Sequence, residues 1–124
     1  MRHTLLGLLV IPLAIAGLQV SPGPAAAHAV VVEATPAVNS TVRGDPVPVA
    51  LRFNSRIDRS RSRLTLIDAD GKETAVAVEQ SSGSDVLAAS VRGLAPGKYR
   101  LRWQVLAIDG HITRGDIPFT VAAP

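Results

Sequence analysis

The sequence has no cysteine in its 124 residues, and its only methionine is Met1. The first absence excludes disulfides, zinc–thiolate centres and thiol nucleophiles. A small domain built this way is held by packing alone. Once Met1 is lost with a leader, no thioether remains either, so any metal site must use nitrogen and oxygen donors. Aromatics are scarce: Trp103, Tyr99, Phe53 and Phe119 are the whole set, too few for a broad aromatic substrate face. Charge of one sign is not concentrated. The formal net charge is +3, mildly basic, which does not indicate nucleic-acid binding. No glycine-rich phosphate loop, Ser-His-Asp order or paired catalytic carboxylate is present, so hydrolytic catalysis is not expected. The one long apolar run lies at the extreme N-terminus, and beyond it nothing is long enough to span a membrane.

That run has the form of a secretory signal. Arg2 supplies a positive start, Leu5 to Leu18 is apolar apart from Gly7 and Gly17, and Ala25 and Ala27 fit the small-x-small cleavage pattern. The alternative, an uncleaved anchor, suits a longer run less interrupted by Ser21-Pro22-Gly23-Pro24. Residues 1–27 are therefore expected to leave, and residues 28–124 to form one small exported domain, periplasmic or secreted. Cleavage after Ala27 makes His28 the first residue. An N-terminal histidine offers two nitrogen ligands, the α-amine and the imidazole, and such a chelate suits copper(II).

The remaining chain alternates with period two. Val49, Leu51 and Phe53 alternate with Ala50 and Arg52; Leu64 and Leu66 with Arg63 and Thr65; Val76 and Val78 with Ala77 and Glu79. Tyr99, Leu101, Trp103 and Val105 alternate with Arg100, Arg102 and Gln104. Each set puts large apolar side chains on one sheet face. Asp68-Ala69-Asp70-Gly71 reads as a hairpin turn, Ser81-Ser82-Gly83-Ser84 as a polar loop and Leu94-Ala95-Pro96-Gly97 as a turn with glycine placed for positive φ. Pro46 and Pro48 suggest a protected edge before the Val49 strand, and Pro118 an edge or bulge in the last one. About seven short strands at this spacing predict an all-β fold, an immunoglobulin-like Greek-key antiparallel β-sandwich. Trp103 is expected at the centre of its core.

Besides His28, the only histidine outside the leader is His111, in Asp109-Gly110-His111 directly after the strongest strand. Gly110 breaks the alternation, so a turn is expected there. Asp109 and His111, two apart, can share a face or come closer still across the turn, and a carboxylate beside an imidazole can orient the ring. Taken alone this is an ordinary Asp-Gly turn with a solvated histidine; paired with His28 it is an economical metal site. Arg56, Arg59, Arg61 and Arg63 form the densest charge run. A docking surface is one reading. A solvated loop and strand face is the simpler one, because Asp58 interrupts the run.

The order His28-Ala29, Thr35-Pro36-Ala37, Val49-Ala50-Leu51-Arg52-Phe53, Leu94-Ala95-Pro96-Gly97-Lys98-Tyr99, Trp103 and Asp109-Gly110-His111-Ile112-Thr113-Arg114-Gly115 closely resembles the CopC family of periplasmic copper-binding proteins. The resemblance implies a Greek-key β-sandwich that binds copper(II) through the N-terminal histidine, an aspartate and a second histidine, here His28, Asp109 and His111. Two departures stand out. The methionine-rich copper(I) segment of some members is absent, which implies a copper(II)-only member. The glutamate that some members carry after the strand aromatic is replaced by Asn54-Ser55. Relatives fused to a multi-span copper importer imply that the partner here is a separate inner-membrane transporter of the CopD type.

The leading expectation is thus an exported copper(II) carrier for resistance or homeostasis, not an enzyme. Two alternatives remain: a copper oxidative enzyme with a histidine brace, and a metal-free immunoglobulin-like interaction module with His28 incidental.

Overall fold

The computed structural model describes residues 29–80 and 83–124, together with Gly7 and Gly17. The segment 1–27 expected to be a signal, His28, Ser81 and Ser82 otherwise lie outside the described residues. No helix occurs among the described residues. The strands are β1 (Val31–Thr35), β2 (Ser40–Val42), β3 (Val47–Phe53), β4 (Ile57–Ile67), β5 (Glu73–Val76), β6 (Val86–Val91), β7 (Gly97–Ala107) and β8 (Ile112–Val121). Two sheets form, one ordered β1-β3-β6 and the other β2-β8-β7-β4-β5.

The alternation builds the sandwich. In β3, Val47, Val49, Leu51 and Phe53 are buried while the residues between them are exposed. Facing them across the core are Leu101, Trp103, Val105 and Ala107 of β7, Ile117, Phe119 and Val121 of β8, and Leu64 and Leu66 of β4, with Leu87 and Ala89 of β6 on the β3 side. Trp103 is 8% exposed and meets Phe53 edge-on, ring centroids 5.3 Å apart. Its indole lies over Gly115, its register partner in β8; a Cβ there would fall 2.5 Å from the ring. At the start of β7 the Tyr99 hydroxyl donates to the Ala95 carbonyl at 2.6 Å, the tyrosine corner of sandwich folds.

Several expectations need correction. There are eight strands rather than about seven, and the sandwich is not wholly antiparallel: β2 pairs parallel with β8, Ser40 opposite Phe119. Strand β3 is the centre of its sheet, not an edge. It tolerates Pro48 because β1 pairs only with residues from Ala50 to Phe53, leaving that flank open beside the proline. Strand β8 lies second in its sheet, between β2 and β7, with no strand on its other flank at Pro118, and its register with β7 runs through Pro118 without a bulge. There β2 has not yet begun, and the Pro118 carbonyl accepts from Asn39 N at 2.7 Å. Register shifts lie instead in β1, between Val31 and Glu33, and in β4, between Asp58 and Arg63. Ser62 fills the gap in the ladder, its hydroxyl donating to the Asp58 carbonyl and accepting from Leu106 N. Arg59, read as part of a solvated run, donates to the carbonyls of Gln80 (3.0 Å) and Gly83 (2.6 Å) and ties the β5–β6 connection to β4.

Candidate metal centre

Asp109 and His111 sit in the turn that joins β7 to β8. The turn closes with Gly110 N donating to the Ala107 carbonyl (2.9 Å) and Ala107 N donating to the His111 carbonyl (2.8 Å). Gly110 has φ 89°, so the three-residue connection is a type I turn followed by a left-handed glycine. The β4–β5 turn repeats the pattern: Gly71, φ 83°, donates to the Asp68 carbonyl, and Asp68 N donates to the Lys72 carbonyl. In both, an aspartate precedes the glycine, and the residue after it is His111 in one and Lys72 in the other.

The turn brings the two predicted side chains together. His111 Nδ1 lies 3.1 Å from Asp109 Oδ2, and His111 N donates to Asp109 Oδ1 at 3.1 Å. A proton on Nδ1 directed at the carboxylate leaves the imidazole lone pair on Nε2. The side chains are 36% and 52% exposed, open enough to reach a solvated ion. Exposed Ile108 and Ile112 flank them in sequence. Backbone braces the base of the turn, where Ile108 N donates to the Arg56 carbonyl at 3.2 Å. Among the described residues no group of three or more histidine, aspartate or glutamate side chains gathers anywhere. His28, the third predicted ligand, lies outside them.

The start of the described chain comes to the same end of the sandwich. The Ala29 carbonyl accepts a hydrogen bond from Thr113 Oγ1 at 2.8 Å, two residues beyond His111, and Ala29 is 1% exposed. Val30 N donates to Asn54 Oδ1 (2.9 Å), and the Val30 carbonyl accepts from Asn54 N (3.0 Å). Neither the Thr113 contact nor the Asn54 contact is visible in the sequence. Asn54 drew notice only for the carboxylate it lacks, and the Thr113 contact spans 84 positions. A groove of about 620 Å³ opens at the opposite end, over the paired Lys98–Arg100 and Pro118–Thr120 segments and beside the β4–β5 turn.

On the outer face of the larger sheet, Asp116 takes Arg102 Nε at 3.0 Å and Arg100 Nη1 at 3.1 Å. The Arg102 hydrogen bond, against some desolvation, holds the Asp116 carboxyl below the usual carboxylate range. This cluster lies on the outward face of the strands that carry the turn and keeps β7 and β8 in register.

A family model described as CopC domain matches residues 31–122. Copper resistance protein C of Xanthomonas campestris pv. juglandis is 30% identical over 77% of this chain and 80% of its own length. The crystal structure of CopC from Methylosinus trichosporium OB3b superposes with a TM-score of 0.71 at 32% identity, covering 77% of this chain and 94% of that one. Copper transport protein CutJ of Bacillus subtilis (strain 168) is 23% identical over 81% of this chain, which spans only 19% of that longer protein.

Proposed function

Because the chain belongs to the CopC family, we propose that it is an exported copper(II)-binding protein that sequesters the ion or hands it on, with His28, Asp109 and His111 as ligands. Family membership sets aside the oxidative-enzyme alternative, since CopC proteins are copper-binding proteins rather than enzymes. The observation that carries the ligand assignment is the bond between Thr113 Oγ1 and the Ala29 carbonyl. Consecutive α-carbons are about 3.8 Å apart, so residue 28 is joined to backbone anchored two positions beyond His111. The donor set fits the ion. An amine, two imidazoles and a carboxylate are nitrogen and oxygen ligands of the kind copper(II) takes in tetragonal sites, and residues 28–124 offer no sulfur for copper(I).

In this reading each group has one task. The His28 amine and imidazole chelate the ion from one residue. His111 contributes an imidazole nitrogen, and the Asp109 carboxylate beside it supplies negative charge and an oxygen donor. The leader directs the protein to the periplasm or the medium, and the acceptor for handed-on copper is an inner-membrane transporter of the CopD type. The test uses protein beginning at His28. Copper(II) should quench Trp103 emission to a one-to-one endpoint and give a tetragonal electron-spin signal, and His111→Ala should weaken binding about 100-fold or more. Absence of saturable quenching in the parent protein would overturn the proposal.

A further inference from the structure

We infer that Thr113 and Asn54 are positioning residues for this site: by fixing the backbone at Ala29 and Val30 they hold the residue-28 donors against the Asp109–His111 turn. The inference rests on the copper reading above and extends it to two residues that touch no metal.

Thr113 pairs with Val105 in the β7–β8 ladder, and Val105 is fully buried. Threonine therefore occupies a core-facing register position, next in β8 to Gly115 and Ile117 on the same face. Valine has nearly the same shape and would suit that environment. The part-buried hydroxyl is accounted for by its bond to the Ala29 carbonyl, since a polar group withdrawn from water gains from a partner. Asn54, directly after β3, holds Val30 from the other sheet through both its side chain and its own N–H. Residues 29–30 are thus fastened to both layers, to β8 by an oxygen and to the end of β3 by a nitrogen and an oxygen. The next residue along β1, Val31, is already in the ladder opposite Phe53.

The functional consequence concerns entropy. A chelating residue on a loose N-terminal segment must be ordered when the ion binds, and that cost is subtracted from affinity. With residues 29 and 30 fastened in the folded protein, less of that segment remains to be ordered. The two anchors then act on copper affinity only through residue 28, and that gives the test its discriminating arm.

Copper(II) affinity is measured by competition with a chelator, on protein beginning at His28, for the parent, Thr113→Val, Thr113→Ser, Asn54→Ala, His28→Ala and the Thr113→Val/His28→Ala double variant. Thr113→Val and Asn54→Ala should each weaken binding about 10-fold, the lower end for outer-shell residues. Thr113→Ser, which keeps the hydroxyl, should stay within about 2-fold of the parent. In the His28→Ala background, which keeps only the α-amine at residue 28, Thr113→Val should cost clearly less than in the parent. Electron-spin spectra of Thr113→Val at partial loading should show fewer coupled nitrogens, with apo-protein circular dichroism unchanged. If the parent binds one copper(II) but both anchor variants match it, the inference fails and the copper reading stands. An equal loss on Thr113→Val with and without His28 would also overturn it, because the effect would then be general to the fold. If the parent fails to bind copper, both fall. Should Thr113→Val not fold, Asn54→Ala and Thr113→Ser decide.

Discussion

Replacing Gly115 by alanine tests how tightly the strand that carries the metal turn is fitted to the core. The added Cβ would lie 2.5 Å from Trp103 Cζ2, 2.7 Å from Cε2 and 2.8 Å from Nε1. Carbon–carbon contacts are comfortable near 3.5 Å or beyond, so ring or strand must yield by about 1 Å. The ring has little room to yield, because it is 8% exposed and already edge-on to Phe53. The strand is equally constrained, with β8 paired to β7 continuously from Ile112 to Val121. Overpacking of this kind costs about 1–3 kcal/mol, and the gain from removing a glycine in a strand returns about 0.5–1 kcal/mol. A net loss of about 1–2 kcal/mol follows, or about 4–16 °C in Tm for a domain of this size. Thermal and urea unfolding followed by circular dichroism measure it. The same substitution in a Trp103→Leu background should cost less than about 0.5 kcal/mol, since the obstacle is gone. A Gly115→Ala protein as stable as the parent, or an undiminished penalty beside leucine, would refute the reasoning.

Other perturbations probe the same framework. Tyr99→Phe removes the hydroxyl that donates to the Ala95 carbonyl and should cost about 1 kcal/mol in urea unfolding; stability equal to the parent would mean the corner contributes nothing. Asp116 has a folded-state pKa held below its ordinary value, first by the Arg102 hydrogen bond. Its contribution is therefore complete above the unfolded carboxylate pKa and lost as pH falls through the lower folded value. Asp116→Asn should lower stability at neutral pH by about 0.5–1 kcal/mol for a largely exposed cluster. Parent and variant unfolding curves should converge as pH drops below about 4, and a gap that widens there would reverse the sign.

Much of the fold was legible because the strands that form its centre alternate cleanly. Val49-Ala50-Leu51-Arg52-Phe53 and Tyr99-Arg100-Leu101-Arg102-Trp103 each commit one face to the core, and both occur as read. The three-residue β2 carries no such pattern in Ser40-Thr41-Val42, and only the tertiary structure sets it parallel to β8. The proline rules pointed to edges because they describe whole strands, whereas Pro48 and Pro118 sit beside neighbours that end or begin next to them. The bulge at Arg59–Ser62 was hidden because alternating arginine and serine also describes an exposed strand face. The proximity of Asp109 and His111 was legible because a glycine at positive φ between them closes the turn. The anchors were not. Thr113 reads as a β-branched strand residue like any other, and its partner lies at the far end of the sequence.

The two aspartyl-glycine hairpins carry one further lesson, about how such a site can arise. Their backbones are interchangeable parts, hydrogen-bonded alike and standing at opposite ends of the sandwich. One holds Lys72 where the other holds His111; His111 N donates to the aspartate beside its glycine, whereas Lys72 N donates to Asp68 at the start of its turn, so the two share a backbone and differ in how their carboxylates are used. What separates the two ends is the company each keeps: the lead-in strand and its threonine anchor at one, an open groove at the other. In the copper reading proposed above, substitution at position 111 removes one of three ligands while the β-sandwich beneath the hairpin stays as it is.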